Sequence, residues 1–98
     1  MQNKREIKLT ETDLKAIYGP DYNFFQEKIL SNCFCHRCRV KSYTAMITKY
    51  KIFLNDLNDI VLRGFCAACS GPVNRYLETG EVASYLLRIK KVRRKYGN

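Results

Sequence analysis

The chain has no tryptophan and one histidine, and it carries nine acidic side chains against eighteen basic ones. These shortages are informative. One imidazole, His36, is too few for a metal-and-histidine nuclease. It lies inside Cys35-His36-Arg37-Cys38, so a cysteine–histidine nucleophile would draw on the same residues as a metal site. A zinc deaminase needs His-x-Glu and Pro-Cys-x-x-Cys; here Arg37 and Cys38 follow His36, and Phe65 precedes Cys66. No glycine-rich phosphate loop is present. No apolar run is long enough to span a bilayer. The polar start, Met1 to Glu6, is not followed by an apolar stretch, so no signal peptide is expected. With no acid/base constellation left, the chain is expected not to be an enzyme and to have no small-molecule substrate.

What is present is cysteine in a pattern. Cys35 and Cys38 form one Cys-x-x-Cys pair, and Cys66 and Cys69 form another, 27 residues further on. A pair at this spacing sits on a tight turn and offers both sulfurs to one ion; two such turns complete a tetrahedral S4 shell suited to zinc. The expected ligands of one structural Zn2+ are therefore Cys35, Cys38, Cys66 and Cys69. Cys33 and His36 form a second, overlapping pair at the same spacing, and either can replace one of the four. Cys33 is otherwise read as a buried small hydrophobe, and His36 as a side chain of the turn. An odd number of cysteines in paired knuckles fits a reducing, intracellular compartment (cytoplasmic or nuclear) better than a disulfide framework. Dithiol redox chemistry would call for one pair at a strand end in a βαβ setting, not two pairs around a hairpin. Four thiolates leave zinc no open position, so the site holds structure and function must lie on the surface it supports.

At 98 residues the chain is expected to be one domain with a modest core, for which a metal is a common staple. Thr10 or Thr12 can cap a first helix carrying Leu14, Ile17 and Tyr18, ended by Gly19-Pro20. Asp21 can cap a second, burying Phe24, Phe25, Ile29 and Leu30; Ile7-Lys8-Leu9 can form a short strand. Residues 42–54 are rich in β-branched and aromatic residues and read as a strand, Asn55 to Asp59 as a turn, Ile60 to Phe65 as the return strand, and Val73 to Glu78 as a third. A helix opening at Thr79-Gly80-Glu81 is expected to run to Tyr96. At about 100° per residue, Val82, Tyr85, Leu86, Ile89, Val92 and Tyr96 share one arc, while Arg88, Lys90, Lys91, Arg94 and Lys95 fall opposite. Arg93 projects into the apolar arc and Leu87 from the basic face.

The two knuckles, the hairpin between them and the strand after Cys69 resemble a zinc ribbon from Cys35 to about Glu78, roughly half of the chain. The long spacer, and Arg39 where a glycine often follows the second cysteine of a knuckle, depart from the pattern; Gly71 follows the second knuckle. The resemblance implies an α+β fold: a small zinc-ribbon-like antiparallel sheet of about three strands, with N-terminal helices in residues 1–32, the ribbon-like core in 33–78, and a basic amphipathic helix in 79–98. A treble clef would continue Cys66 and Cys69 into a helix, against Gly71-Pro72.

Charge completes the picture. The net charge is +9, and residues 81–98 hold six basic side chains and one acidic one. A clustered basic field favours polyanions. Nucleic acid, DNA or RNA, is the expected partner, bound through Arg88, Lys90, Lys91, Arg93, Arg94 and Lys95, with Arg37 and Arg39 extending the patch. Tyr43, Tyr50, Phe53, Tyr76 and Tyr85 supply stacking surface where they do not fill the core. The alternative is a protein-interaction module, or a subunit of a larger complex, docking through the apolar arc of the last helix. Attachment to a membrane is disfavoured by a short arc without tryptophan. Whether the chain itself covers that arc separates the first two readings.

Overall fold

The computed structural model describes residues 6–35 and 44–97. The architecture is α+β: a four-stranded antiparallel sheet with two helices of eight or more residues packed on one face, and a separate two-stranded ladder. The sheet comprises β1 (Ile7–Leu9), β4 (Ile47–Leu54), β5 (Ile60–Cys66) and β6 (Pro72–Leu77), in that spatial order. The ladder pairs β2 (Cys33–Phe34) with β3 (Thr44–Ala45).

The strand count differs from the three expected. Ile7 and Leu9 alternate with polar neighbours, pair with Leu54 and Ile52, and add β1 to the edge of β4. The segment read as one strand over 42–54 is interrupted at Met46, so its first part belongs to the small ladder and its second to the main sheet.

The first helix, α1 (Glu11–Tyr18), begins at a reciprocal cap. The Thr10 hydroxyl accepts the Asp13 N–H, and the Asp13 carboxylate accepts the Thr10 N–H. Gly19, at φ +56°, turns the chain out. Leu14, Ile17 and Tyr18 are buried at helical spacing. A 3-10 turn and a short α2 (Tyr22–Phe24) follow, continued by a π-turn over Phe25–Ile29. Of the four side chains expected to be buried here, Phe25 is fully enclosed, Ile29 and Leu30 are half-buried, and Phe24 is 58% exposed.

One irregularity sets the faces of the main sheet. Ile47 and Ile52 are five positions apart, so strict alternation would send them to opposite faces. Both are buried in the same core cluster. The register slips between Thr48 and Lys51, where Lys49 takes φ +52°. This β-bulge absorbs the odd residue and restores the alternation. Opposite it stands Gly64, where a Cβ would lie 2.7 Å from the Thr48 carbonyl oxygen and 2.8 Å from the Tyr50 Cα. Only a residue without a side chain allows β4 and β5 to approach so closely there.

The expected Asn55 to Asp59 turn forms. The Asn55 Oδ1 accepts N–H groups of Leu57 and Asp59, and Asn58 takes φ +64°. Thr79 is buried behind it, donating to the Asn58 carbonyl and accepting the Ile60 N–H. A 3-10 turn over Thr79–Glu81 leads into α3 (Ala83–Lys95). In the expected apolar arc, Ile89 and Val92 are buried, Tyr85, Leu86 and Tyr96 are half-buried, and Val82 is exposed. The arc joins Leu14 and Ile17 of α1 and the inner face of the sheet in one core. No helix among the described residues is long and apolar enough to cross a membrane.

Candidate metal centre and basic surface

Three cysteine thiols converge from two distant segments. Cys35 leaves the end of β2, Cys66 ends β5, and Cys69 lies in the turn leading to β6. Their sulfurs lie within 4.8 Å of one another, and the Cys35 and Cys69 sulfurs are 3.6 Å apart. Tetrahedral zinc with bonds of about 2.3 Å has sulfurs roughly 3.8 Å apart, so the spacing suits a metal ion. Cys35 and Cys66 are buried and Cys69 is half-buried.

The local backbone explains the convergence. Cys66 and Gly71 close the turn through the Cys66 N–H and the Gly71 carbonyl, 2.8 Å apart, and the Ser70 N–H donates to the Cys66 carbonyl. Ser70 takes φ +62°. The Gly71 N–H points at the Cys69 sulfur, 3.4 Å away. The Ala67 N–H donates to Met46, tying the turn to the segment between β3 and β4. The chain returns directly as β6 from Pro72, not as a helix.

Cys38 and His36 lie outside the described residues, as do Arg37, Arg39 and Tyr43. Cys33 stands apart from the three-thiol group: it is fully buried and its thiol donates to the Ile29 carbonyl at 3.4 Å. Burial pushes its pKa up, with Arg75 opposing.

The six cationic residues singled out on α3 divide into two groups. Arg88 turns inward and donates to the carbonyls of Ile17 and Tyr18, at the C-terminal end of α1. Arg93, expected in the apolar arc, donates to the Asn58 side chain and the Asn55 carbonyl, so it clasps the β4–β5 turn. Lys95 pairs with Asp13 at 2.7 Å. The side chains of Lys90, Lys91 and Arg94 are exposed and make no hydrogen bond or ion pair with any described residue. Leu87 is 66% exposed beside them.

The aromatic residues divide similarly. The Tyr50 hydroxyl donates to Glu11 at 2.8 Å and the Tyr85 hydroxyl to Asp21 at 2.7 Å. Burial and the Asp21 carboxylate push the Tyr85 pKa up to about 12. Phe53 is buried under Arg63, whose guanidinium lies 4.7 Å from its ring centre. Tyr76 is 61% exposed on the sheet face turned away from the helices, and Phe65, not anticipated from sequence, is 46% exposed on the same face. Lys51 and Phe53 on β4, and Arg63 and Phe65 on β5, recur at every second position, which places each pair on one side of its strand; which side the helices cover is not in that pattern.

Compared with protein-family models, curated proteins and solved structures, the chain matches none.

Proposed function

We propose that this chain is a small, non-catalytic structural-zinc protein that binds nucleic acid through its basic surface. The zinc is held by Cys35, Cys66 and Cys69, with Cys38 as the fourth thiolate, in a ribbon-like pair of knuckles. Support for the metal comes from the meeting, within 4.8 Å of one another, of sulfurs from the end of β2, the end of β5 and the β5–β6 turn. A closed thiolate shell fits a scaffold role in a reducing, intracellular compartment.

The observation that carries the nucleic-acid reading is the fate of α3. Most of its apolar arc packs on the chain's own core, so the outward face with Lys90, Lys91 and Arg94 is left for a partner. Three uncompensated cations on one helix face favour a phosphate backbone over an apolar protein groove. The alternative, a protein-interaction module, retains Leu87 and Val82 as its exposed apolar side chains.

The test is binding of zinc-loaded protein to labelled duplex DNA, single-stranded DNA and structured RNA over a salt series. Changing Lys90, Lys91 and Arg94 together to alanine is expected to preserve zinc content and lower the slope of log K against log salt by up to about 2.7 on a duplex, at roughly 0.9 per phosphate contact. Absence of binding at low salt would reject the reading in favour of a protein partner.

A further inference from the structure

The helices cover one face of the main sheet, and the other face is not a neutral solvated surface. A shallow groove of about 440 Å³ runs across it, lined by Lys8, Lys49, Lys51 and Arg63 together with Phe65 and neighbouring β5 and β6 residues, and among the described residues no carboxylate lines it. The nearby acid, Glu6, is already neutralised: Arg63 grips both its oxygens at 2.8 Å. That clasp, lying over Phe53, closes one end of the face. Lys8 lies opposite Phe53 at that end, and Lys51 and then Lys49 follow along β4 towards the other; the side chains of all three make no hydrogen bond or ion pair with any described residue. Lys49, at the bulge, and Lys51, just after it, both line the groove.

Resting on the nucleic-acid reading above, we propose that this open sheet face is the site that selects single-stranded nucleic acid, with Phe65 and Tyr76 as stacking platforms and Lys8, Lys49 and Lys51 as phosphate contacts. Base faces are available for stacking only where bases are unpaired, so ring platforms favour a single strand over a duplex. The spacing suits several nucleotides. Phe65 opposes Pro72, and Tyr76 lies four residues further along β6. That is about 13 Å along the strand and about 4.8 Å across to the next one. Lysines beside aromatic rings, with no competing acid, complement a phosphate backbone and not an apolar peptide.

The absence of tryptophan provides a clean reporter, because Phe65→Trp introduces the sole indole of the chain. Zinc-loaded Phe65→Trp is titrated with oligodeoxythymidylate and with a duplex of equal phosphate number. Anisotropy of the labelled oligonucleotides is measured in parallel for Phe65→Ala, Tyr76→Ala and Lys49→Ala with Lys51→Ala, and for the α3 triple-alanine variant. The expected results are quenching of the indole by the single strand and a roughly five- to hundredfold loss of single-strand affinity in each aromatic variant, with duplex binding unchanged. The double lysine variant is expected to lower the single-strand salt slope by about 1.4. Circular dichroism checks that these exposed substitutions leave the fold intact.

If the wild type binds nucleic acid, and the aromatic variants bind as it does while the helix variant does not, the sheet proposal fails and the helix reading stands. If the wild type binds none of the probes, both fail. Self-association of the wild type in sedimentation, abolished by Phe65→Ala and with no oligonucleotide bound, would make the face a contact between copies and overturn the proposal.

Discussion

Asp13 joins both ends of the described chain, and its removal is expected to cost the fold about 2 kcal/mol at neutral pH. Its carboxylate accepts the Thr10 N–H that starts α1, the Lys95 ammonium and the Tyr96 hydroxyl at the end of α3. Burial by itself would raise its pKa, but the bonds from Lys95, Tyr96 and Thr10 outweigh that and bring it from 3.8 to about 2. A difference of nearly two units corresponds to about 2 kcal/mol at 1.36 kcal/mol per unit. The sign follows from proton counting. Between the two pKa values the unfolded chain binds more protons, so stability rises with pH through that window. The contribution is complete above about pH 4 and lost as pH falls through about 2.

Asp13→Asn should remove this contribution. The amide can still accept from Lys95 at Oδ1, but an Nδ2 in place of Oδ2 cannot accept from the Thr10 N–H or the Tyr96 hydroxyl, and the ammonium loses its counter-charge. Lys95 is 57% exposed, so water compensates it and Lys95→Ala should cost far less than Asp13→Asn. Tyr96→Phe should cost about 1 kcal/mol. Urea denaturation of wild type and Asp13→Asn between pH 2 and 7 measures the effect. Thiolate protonation also weakens the metal site in acid. Both proteins share that site, so the difference between their curves isolates Asp13. The expected difference is about 2 kcal/mol at pH 7, vanishing towards pH 2. Curves that run parallel, or coincide at pH 7, would refute the reasoning.

Two further outcomes are expected. Removing the metal, with a strong chelator or through Cys66→Ser, should abolish cooperative unfolding, because zinc–thiolate binding of about 10–16 kcal/mol matches or exceeds the whole stability of a small domain; Cys33→Ser should keep its zinc, and metal analysis with thermal melts reads both. Arg93→Ala should destabilise by about 1–3 kcal/mol by releasing the Asn55 carbonyl and the Asn58 side chain, whereas Arg94→Ala one position away should stay within about 0.5 kcal/mol, as denaturation midpoints will show.

Legibility from sequence followed the range of the interactions. The Thr10 cap, the Gly19 exit, the Asn55 turn and the hairpin strands depend on neighbours a few residues away, and composition revealed them. The metal pattern was legible because a Cys-x-x-Cys turn is local even though its mate is distant. The bulge at Lys49 was hidden because it arises from a conflict: Ile47 and Ile52 must both reach the core from positions of opposite parity, and Gly64 on another strand makes room for the solution. Phe65 read as one more apolar strand residue. Its exposure depends on which face the helices cover, which is a tertiary fact.

The basic helix shows why a charge run is an incomplete guide to a binding surface. Arg88, Arg93 and Lys95 lie in the same sequence cluster as Lys90, Lys91 and Arg94, yet each holds α3 to another part of the fold: the end of α1, the β4–β5 turn and the α1 cap. Long cationic side chains at the rim of an apolar face reach across it to carbonyls and carboxylates. Arg63 does the same on the sheet, neutralising Glu6. Apart from Lys15 and Lys28 in the N-terminal helical region, subtracting these internal ties leaves two groups of cations without a hydrogen bond or ion pair among the described residues, Lys90, Lys91 and Arg94 on α3 and Lys8, Lys49 and Lys51 on the open sheet face. Only the sheet group stands beside exposed rings. A helix with cations alone distinguishes little beyond charge density, whereas a face that also carries Phe65 and Tyr76 responds to unstacked bases. Selectivity between single and double strands should therefore follow the sheet substitutions, and the total salt dependence should follow both groups.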